Sequence, residues 1–496
     1  MTQLTDRYLK LPVIAAIAAV AALTVLSADA SAKQSAREET APRDAGEPIM
    51  AIVSIKSQQI TVYDADGWIF KAPVSTGTKG RETPGGVFTI LQKNVDHRSN
   101  LYDDAHMPHM QRLTWNGIAL HGGPLPGYAA SHGCVRMPFG FAEKVFDTTR
   151  IGMRVIISPY DATPVAISHP ALLTPNAEAV AAAPEGAKRL ALDAAEATKA
   201  AAVSKKFAAK AAREAASSKS ALRRLERLKS AADASLARAE KRLAAAMTYQ
   251  AKTRAKAQKI KAAAKASEAA AKLETAKADA TSKLEAAARA QDAAKEAANR
   301  KLEAAKTSIE AKLALEPVSI YVSRATQKIY VRRNTRKPWP DGGEVFDATI
   351  EVPIKIRDAD TPIGTHVFTA MASDGAGLRW TAVSIDNGDD AKSALDRISI
   401  PNDVLDRIAP TALPRSSIIV SDEPLSRETN YRTEFVAVLS NQPQGGFKTR
   451  RPTPARPVSK PWNGGGFFSF FDQLSPPPAK SRRRGRTKQV QSDWFW

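Results

Sequence analysis

The sequence predicts three bodies in a row: a mainly β domain with short helices, a long Ala/Lys-rich helical or coiled-coil rod, and a second β-rich domain. Three observations predict this. Residues 49–159 and 317–440 break into short β-branched and aromatic runs separated by Gly, Pro and Asp turn signals. Residues 187–316 contain neither Gly nor Pro and consist mostly of Ala, Lys, Glu, Arg and Leu, which are strong helix formers. A length of 496 residues accommodates two or three domains of ordinary size.

The N-terminus carries Arg7 and Lys10, then an apolar run from Leu11 to Ala28. Two small-x-small sites follow, Ala28-Asp29-Ala30 and Ala30-Ser31-Ala32. This is the layout of a secretory signal peptide over residues 1–32, so the expected location is the periplasm or cell envelope. The alternative is an uncleaved anchor helix, because the run sits at the lower end of what spans a bilayer. Residues 33–48 are polar and read as a flexible leader.

Within residues 49–159 the expected strands are Ile52 to Tyr63, Trp68 to Val74, Gly86 to Leu91, Gly117 to Leu120 and Arg154 to Ile157. Pro138 to Arg150 reads as a short helix whose apolar face is Phe139, Ala142, Val145 and Phe146. The segment also holds Cys134, the sole cysteine of the chain, within Ser131-His132-Gly133-Cys134-Val135-Arg136. A second histidine lies upstream in Leu120-His121-Gly122-Gly123. A thiol with histidines close by suits nucleophilic acyl transfer, since an imidazole can take the proton that a thiol must lose. The expectation is a thiolate that iodoacetamide labels faster near pH 6 than an ordinary thiol, with His121 mattering more than His132. Gly133 permits a tight turn, and its N–H and that of Cys134 are placed to face an oxyanion. The bland alternative is a small buried hydrophobe. A single cysteine forms no internal disulfide, and in an exported chain it is an oxidation risk that a chemical role explains.

Residues 160–186 hold several prolines and read as a linker. The next 130 residues, if one helix, extend about 200 Å at 1.5 Å per residue. Leu222, Leu225, Ala232, Leu236, Ala239 and Leu243 follow a 3-4 spacing. They suggest a thin Ala-based seam in a coiled coil or helical hairpin, with self-association as one use; a lone helix is the alternative. The rod carries 30 Lys and Arg against 15 Asp and Glu, a net +15 out of +21 for the chain. Anionic envelope polymers are therefore candidate partners. Nucleic acid is not, because the leader points outside the cytoplasm and no aromatics interleave with the lysines.

Residues 317–440 repeat the texture of the first domain. The stretch from Val318 to Val331 matches Ile52 to Val62, and Thr361-Pro362-Ile363-Gly364-Thr365-His366-Val367-Phe368-Thr369 matches Thr83-Pro84-Gly85-Gly86-Val87-Phe88-Thr89. This second copy lacks cysteine, so it cannot run thiol chemistry. Residues 441–496 form a basic tail rich in Pro and Gly, with aromatic clusters at Gly466 to Phe471 and Trp494 to Trp496, and read as disordered.

The His121-Gly122 pair and the Ser131 to Arg136 run resemble the L,D-transpeptidase (YkuD-type) catalytic domain. The resemblance covers about residues 50–158 and takes in Ser57-Gln58-Gln59, Pro73 to Gly77, Thr83 to Phe88 and Met107-Pro108. The gap between the two histidines is shorter than in many members. The resemblance implies a YkuD-type β-sandwich, an exported enzyme with no cofactor, and peptidoglycan stem peptides as substrate. It implies Cys134 as nucleophile, His121 as proton donor and acceptor, the Gly122 carbonyl as its orienting partner, and Gly133 N–H as an oxyanion donor. His132 is given a supporting role. Arg136, Ser131, Tyr102 and Met107 are the candidate substrate-binding residues; for Arg136 the alternative is a structural ion pair, and for Ser131 a turn hydrogen bond. Such enzymes release the terminal D-alanine of a tetrapeptide, hold the acyl group as a thioester, and pass it to an amine to make a 3→3 cross-link. Hydrolysis of the thioester is the second enzymatic reading. A wall-binding structural protein built on the basic rod is the reading from another class. His97, His106 and His109 invite a metal, but lack carboxylate or cysteine partners at ligand spacing apart from Asp103 and Asp104, so no metal is expected.

Overall fold

The computed structural model describes residues 37–99, 105–346, 349–375, 377–386 and 388–448. Residues 1–32, expected to be a signal peptide, and Tyr102, Asp103, Asp104 and the aromatic clusters of the tail lie outside them.

The first copy begins with β1 (Glu39–Thr40), β2 (Met50–Ser54), β3 (Gln59–Asp64), β4 (Gly67–Pro73) and β5 (Gly86–Thr89). A polar hairpin, β6 (Gln92–Arg98) and β7 (His106–Arg112), leads to β8 (Ala119–Gly122), β9 (Val135–Met137), α1 (Phe139–Thr148) and β10 (Arg154–Ser158). Then come β11 (Val165–Ile167), α2 (Ala177–Ala244) and α3 (Tyr249–Leu313). The second copy is β12 (Val318–Ser323), β13 (Lys328–Arg333), β14 (Ile350–Pro353), β15 (His366–Ser373), β16 (Leu378–Ser384), α4 (Ala391–Asp396), α5 (Asn402–Ile408), β17 (Ser417–Ser421) and β18 (Ala437–Val438).

The two copies share one topology. In the first, β2 pairs antiparallel with β3 and parallel with β10, and β10 pairs antiparallel with β5. In the second, β12 pairs the same way with β13 and β17, and β17 with β15. The likeness reaches single hydrogen bonds. Gln58 and Gln327 both sit at φ +52° in the first hairpin turn of their copies. Each side-chain amide donates back to a carbonyl three residues earlier, Ile55 at 2.7 Å and Arg324 at 2.9 Å. Each side-chain oxygen accepts a backbone N–H, from Thr76 at 2.9 Å and Ile356 at 3.0 Å.

The copies differ where the chemistry sits. Between β5 and β10 the first copy inserts a second sheet of four strands, ordered β6-β7-β8-β9. Between β15 and β17 the second copy has β16, α4 and α5 instead. There the buried Arg397 guanidinium donates to the carbonyls of Asp358, Thr361 and Pro362 and to the Asp389 carboxylate. That turn is filled by its own chain.

The copies also exchange strands. The main sheets run β1-β4-β3-β2-β10-β5-β18 and β11-β16-β15-β17-β12-β13-β14. Thus β11, from the region read as a linker, joins the second copy, and β18, from the end of the second copy, joins the first. The two sheets pack face to face through Met50, Ile52, Tyr63, Val87 and Ile156 on one side and Tyr321, Val367, Ile419 and Phe435 on the other. Each sheet is therefore buried on both faces. Its alternate residues, Ala51 and Val53 in the first copy, fill that copy's own core with Phe88, Leu120, Val135, Phe141 and Val145. A buried ion pair, Arg154 with Glu434, stitches the interface.

Three boundaries and one helix face move from the sequence reading. Residues 37–48 are packed rather than a flexible leader, because the buried Asp64 carboxylate binds both Arg43 and the Gly46 N–H. The linker ends early, since Leu172 and Leu173 enter the second core and Asn176 caps α2 through the Ala179 N–H at 3.0 Å. Of the residues assigned to the tail, Asn441 bonds Asp386 of the second copy, while Gly446 and Phe447 lie against the first copy. The apolar face of α1 is Phe141, Ala142 and Val145, while Phe139 is exposed.

The rod is a two-helix hairpin. Four residues, 245–248, separate α2 from α3, and Thr248 caps α3 through the Ala251 N–H at 3.2 Å. Pairing of Ser218 with Asp279 and of Glu240 with Lys259 sets the helices antiparallel. Buried Ala215, Ala239, Ala262, Ala266 and Ala280 line the seam, so the backbones approach closely and bury little area per residue.

Candidate active site

The parallel register of β8 with β9 builds the site. Leu120 pairs with Val135, His121 with Arg136 and Gly122 with Met137. Side chains alternate across a strand. Leu120, Val135 and Met137 therefore enter the core, while Ala119, His121 and Arg136 share the other face with Cys134, just before β9. Cys134 packs there with Met107, Met110 and Ala119.

His121 is buried, and its Nδ1–H donates to the Gly122 carbonyl at 2.8 Å. A carbonyl only accepts, so the proton sits on Nδ1 and Nε2 keeps its lone pair. Burial lowers the His121 pKa to about 4, against the pull of that hydrogen bond, and electrostatic repulsion led by Arg136 lowers it further. Burial likewise raises Cys134 to about 11, offset in part by the Ala119 N–H, Arg112 and Arg136. The thiol donates to the Gly117 carbonyl at 3.4 Å. The resting pair is thus thiol and neutral imidazole rather than the expected thiolate, because low-dielectric surroundings disfavour both charged forms.

The turn holding the nucleophile is fastened on all sides. Gly133 has φ +118°, a conformation that favours glycine. Its N–H donates to Ser131 Oγ at 3.1 Å, so the oxyanion role expected of that N–H is already taken by a turn bond. The Ser131 hydroxyl in turn donates to the Cys134 carbonyl, the turn hydrogen bond that was the alternative for this buried residue. Thr83 Oγ1 accepts the Gly77 N–H at 2.8 Å and donates to the Gly133 carbonyl at 2.7 Å. In a trans peptide the C=O and N–H point opposite ways. Thr83 therefore aims the Cys134 N–H away from itself. Among the described residues that N–H has no backbone or side-chain acceptor.

The remaining candidates fall as follows. Met107 packs beside the thiol. Arg136 lays its side chain over Gly123, where a Cβ would meet Arg136 Cδ at 3.3 Å, and it has no carboxylate partner among the described residues. His132 is exposed, unlike His121 and Cys134. His106 pairs with Asp96 at 2.8 Å and His109 packs edge-on to Phe146, so they serve separate contacts. Among the described residues no group of His, Cys, Asp and Glu is arranged to hold a metal. Sequence reasoning missed Arg112, Thr83, Ala119 and Gly117. Only Thr83 left a signal, as a threonine opening the Thr-Pro-Gly-Gly hairpin.

Residues 48–157 match the family profile of the YkuD L,D-transpeptidase catalytic domain. The first copy is an L,D-transpeptidase catalytic domain. Similar solved structures include L,D-transpeptidases from Mycobacterium smegmatis and Stackebrandtia nassauensis. The first is 24% identical with a TM-score of 0.21, over 22% of this chain and 58% of that one. The second is 26% identical with a TM-score of 0.21, over 23% and 57%. An Enterococcus faecium L,D-transpeptidase is 20% identical with a TM-score of 0.21, over 22% and 50%. The chain thus spans less than two thirds of each. No curated protein matches it in sequence. The transpeptidase domain ends at β10, and the rod and second copy lie outside the matched residues.

Proposed function

We propose that the protein is an exported cysteine L,D-transpeptidase acting on peptidoglycan tetrapeptide stems. The observation that carries this is the tautomer lock on His121, which leaves the Nε2 lone pair free to accept a proton on the same sheet face as the one thiol. Cys134 Sγ attacks the carbonyl before the terminal D-alanine as its proton passes to His121 Nε2. The Cys134 N–H receives the oxyanion. The C–N bond breaks, His121 returns the proton to the leaving D-alanine amine, and a thioester remains. An acceptor amine on a second stem then displaces the thiol, which recovers its proton. A neutral pair serves this cycle, since charge develops only in the transition state. Arg136, charged and without a carboxylate partner among the described residues, holds a stem carboxylate.

An amine acceptor is favoured over water by the apolar surroundings of the thiol, Met107, Met110 and Ala119, which keep bulk water off the thioester. Incubation with disaccharide-tetrapeptide, read by mass spectrometry beside Cys134→Ala, tests the reading. A 3→3 dimer lacking one D-alanine and absent from the variant supports it; tripeptide without dimer means hydrolysis. The rod, with its net +15 over residues 187–316, sets the reach of the site and contacts anionic envelope polymers. Binding of purified wall that ignores added salt would count against that contact.

A further inference from the structure

The segment that follows the second copy ends against the nucleophile turn. β18 pairs with β5, and Leu439 N–H donates to the Gly85 carbonyl at 3.0 Å. Further on, Gly446 N–H donates to the Glu82 carbonyl at 2.8 Å, next to Thr83. Gly446 lies backbone to backbone on Gly133. A Cβ built on Gly133 would meet Gly446 Cα at 2.8 Å, and one built on Gly446 would meet the Glu82 oxygen at 2.6 Å and Gly133 Cα at 3.0 Å. Phe447 then packs against the transpeptidase core.

This contact is not a gate. Val436 is part of the first copy's core, and Phe435, Ala437 and Leu439 are part of the core between the sheets. A strand buried on both faces does not peel away without unfolding. The Gly133–Cys134 peptide is therefore gripped twice, by Thr83 at its carbonyl and by Gly446 against its Gly133 end.

We propose that Gly446 is a positioning residue of the catalytic site, supplied by the segment that follows the second copy, which holds the Cys134 N–H aimed at the oxyanion. The inference rests on Cys134 being the acylated nucleophile. It also gives the second copy a role in catalysis. Arg397 fills the Asp358 to Pro362 turn of the second copy, while the chain beyond β18 carries Gly446 to the first copy.

The test separates reactions that form an oxyanion from one that does not. Acylation of Cys134 by a tetrapeptide stem passes through an oxyanion and is read as initial D-alanine release. Alkylation by iodoacetamide is a displacement at saturated carbon and forms none. In the full chain, Gly446→Ala is expected to lower kcat for D-alanine release roughly ten- to a hundredfold, the scale of a misplaced oxyanion donor. KM and the alkylation rate should stay within about twofold of the parent, because neither ground-state binding nor displacement at saturated carbon draws on the oxyanion donor. Thr83→Val should reproduce that pattern and Thr83→Ser should largely restore it. Equal losses in both reactions would mean a general loss of fold or access and would overturn the proposal, as would an unchanged kcat. If the parent protein releases no D-alanine, it is the transpeptidase reading that fails, and the alkylation control shows whether the thiol was accessible.

Discussion

At the residue scale the catalytic pair is set by burial. With Cys134 at about 11 and His121 at about 4, neither is charged at neutral pH. A cysteine in water titrates near 8.5, and iodoacetamide consumes the thiolate. Labelling of Cys134 in the folded protein is therefore expected to trail that of an unstructured cysteine peptide from about pH 6 to 9, and to keep rising toward pH 11. A plateau below about pH 8 would contradict this. For His121 the folded pKa lies below the ordinary 6.5. The unfolded chain then binds a proton that the folded chain refuses, so stability falls as pH drops from about 6.5 to 4, by about 3 kcal/mol. His121→Gln is expected to flatten that part of the stability curve, as read by urea unfolding at several pH values. The His121–Gly122 hydrogen bond was legible in the sequence because it joins adjacent residues, and Cys134 stood out as the sole cysteine beside a histidine and a glycine. Arg112, Thr83 and Gly446 were not, because only folding brings them to the thiol. The activated thiolate was misread because burial does not show in a motif.

At the element scale the strongly patterned pieces were legible and the weakly patterned ones were not. β4 and β10 were expected near their observed places, whereas the run Ile52 to Tyr63, given as one strand, is broken by a turn at 55–58 into β2 and β3. The β6–β7 hairpin was missed because its first strand is polar and largely exposed, which removes the hydrophobic alternation that marks strands. β11 and β18 have three and two residues, too few to carry a period. The hairpin turn at 245–248 has neither Gly nor Pro, so only the Thr248 cap marked it. Since the two helices run antiparallel, shortening both by equal lengths keeps their bases in place. A chain with the distal half of the hairpin removed is expected to release D-alanine from soluble stems at the parent rate. A large loss would show that the rod shapes the site rather than its reach. Ala262→Leu, in contrast, inserts bulk into a close seam and should cost about 1–3 kcal/mol in hairpin stability, read by thermal unfolding followed by helical circular dichroism.

At the scale of the whole molecule, the duplication makes each copy depend on the other. The first copy alone would expose Met50, Ile52, Tyr63, Val87 and Ile156, which the second copy now buries. Full burial of such a side chain is worth about 2 kcal/mol. Five of them match much of the 5–15 kcal/mol that typically holds a domain folded. Residues 37–160 expressed alone are therefore expected to aggregate and release no D-alanine, whereas residues 37–448 are expected to be monodisperse and active. A soluble, active 37–160 fragment would contradict both this dependence and the role of Gly446. The repeat itself was legible from matched strand pairs and the Thr-Pro hairpin. The strand exchange was not, because composition places a segment along the chain and not beside a particular sheet.

Acylation of Cys134 is open to direct observation by intact mass measurement of acid-quenched protein after brief exposure to disaccharide-tetrapeptide. The expected product is an adduct equal to the stem minus D-alanine, mapped by peptide digestion to the segment containing Cys134 and lost in Cys134→Ala. D-alanine release that survives in Cys134→Ala, or an adduct on another residue, would contradict Cys134 as the nucleophile.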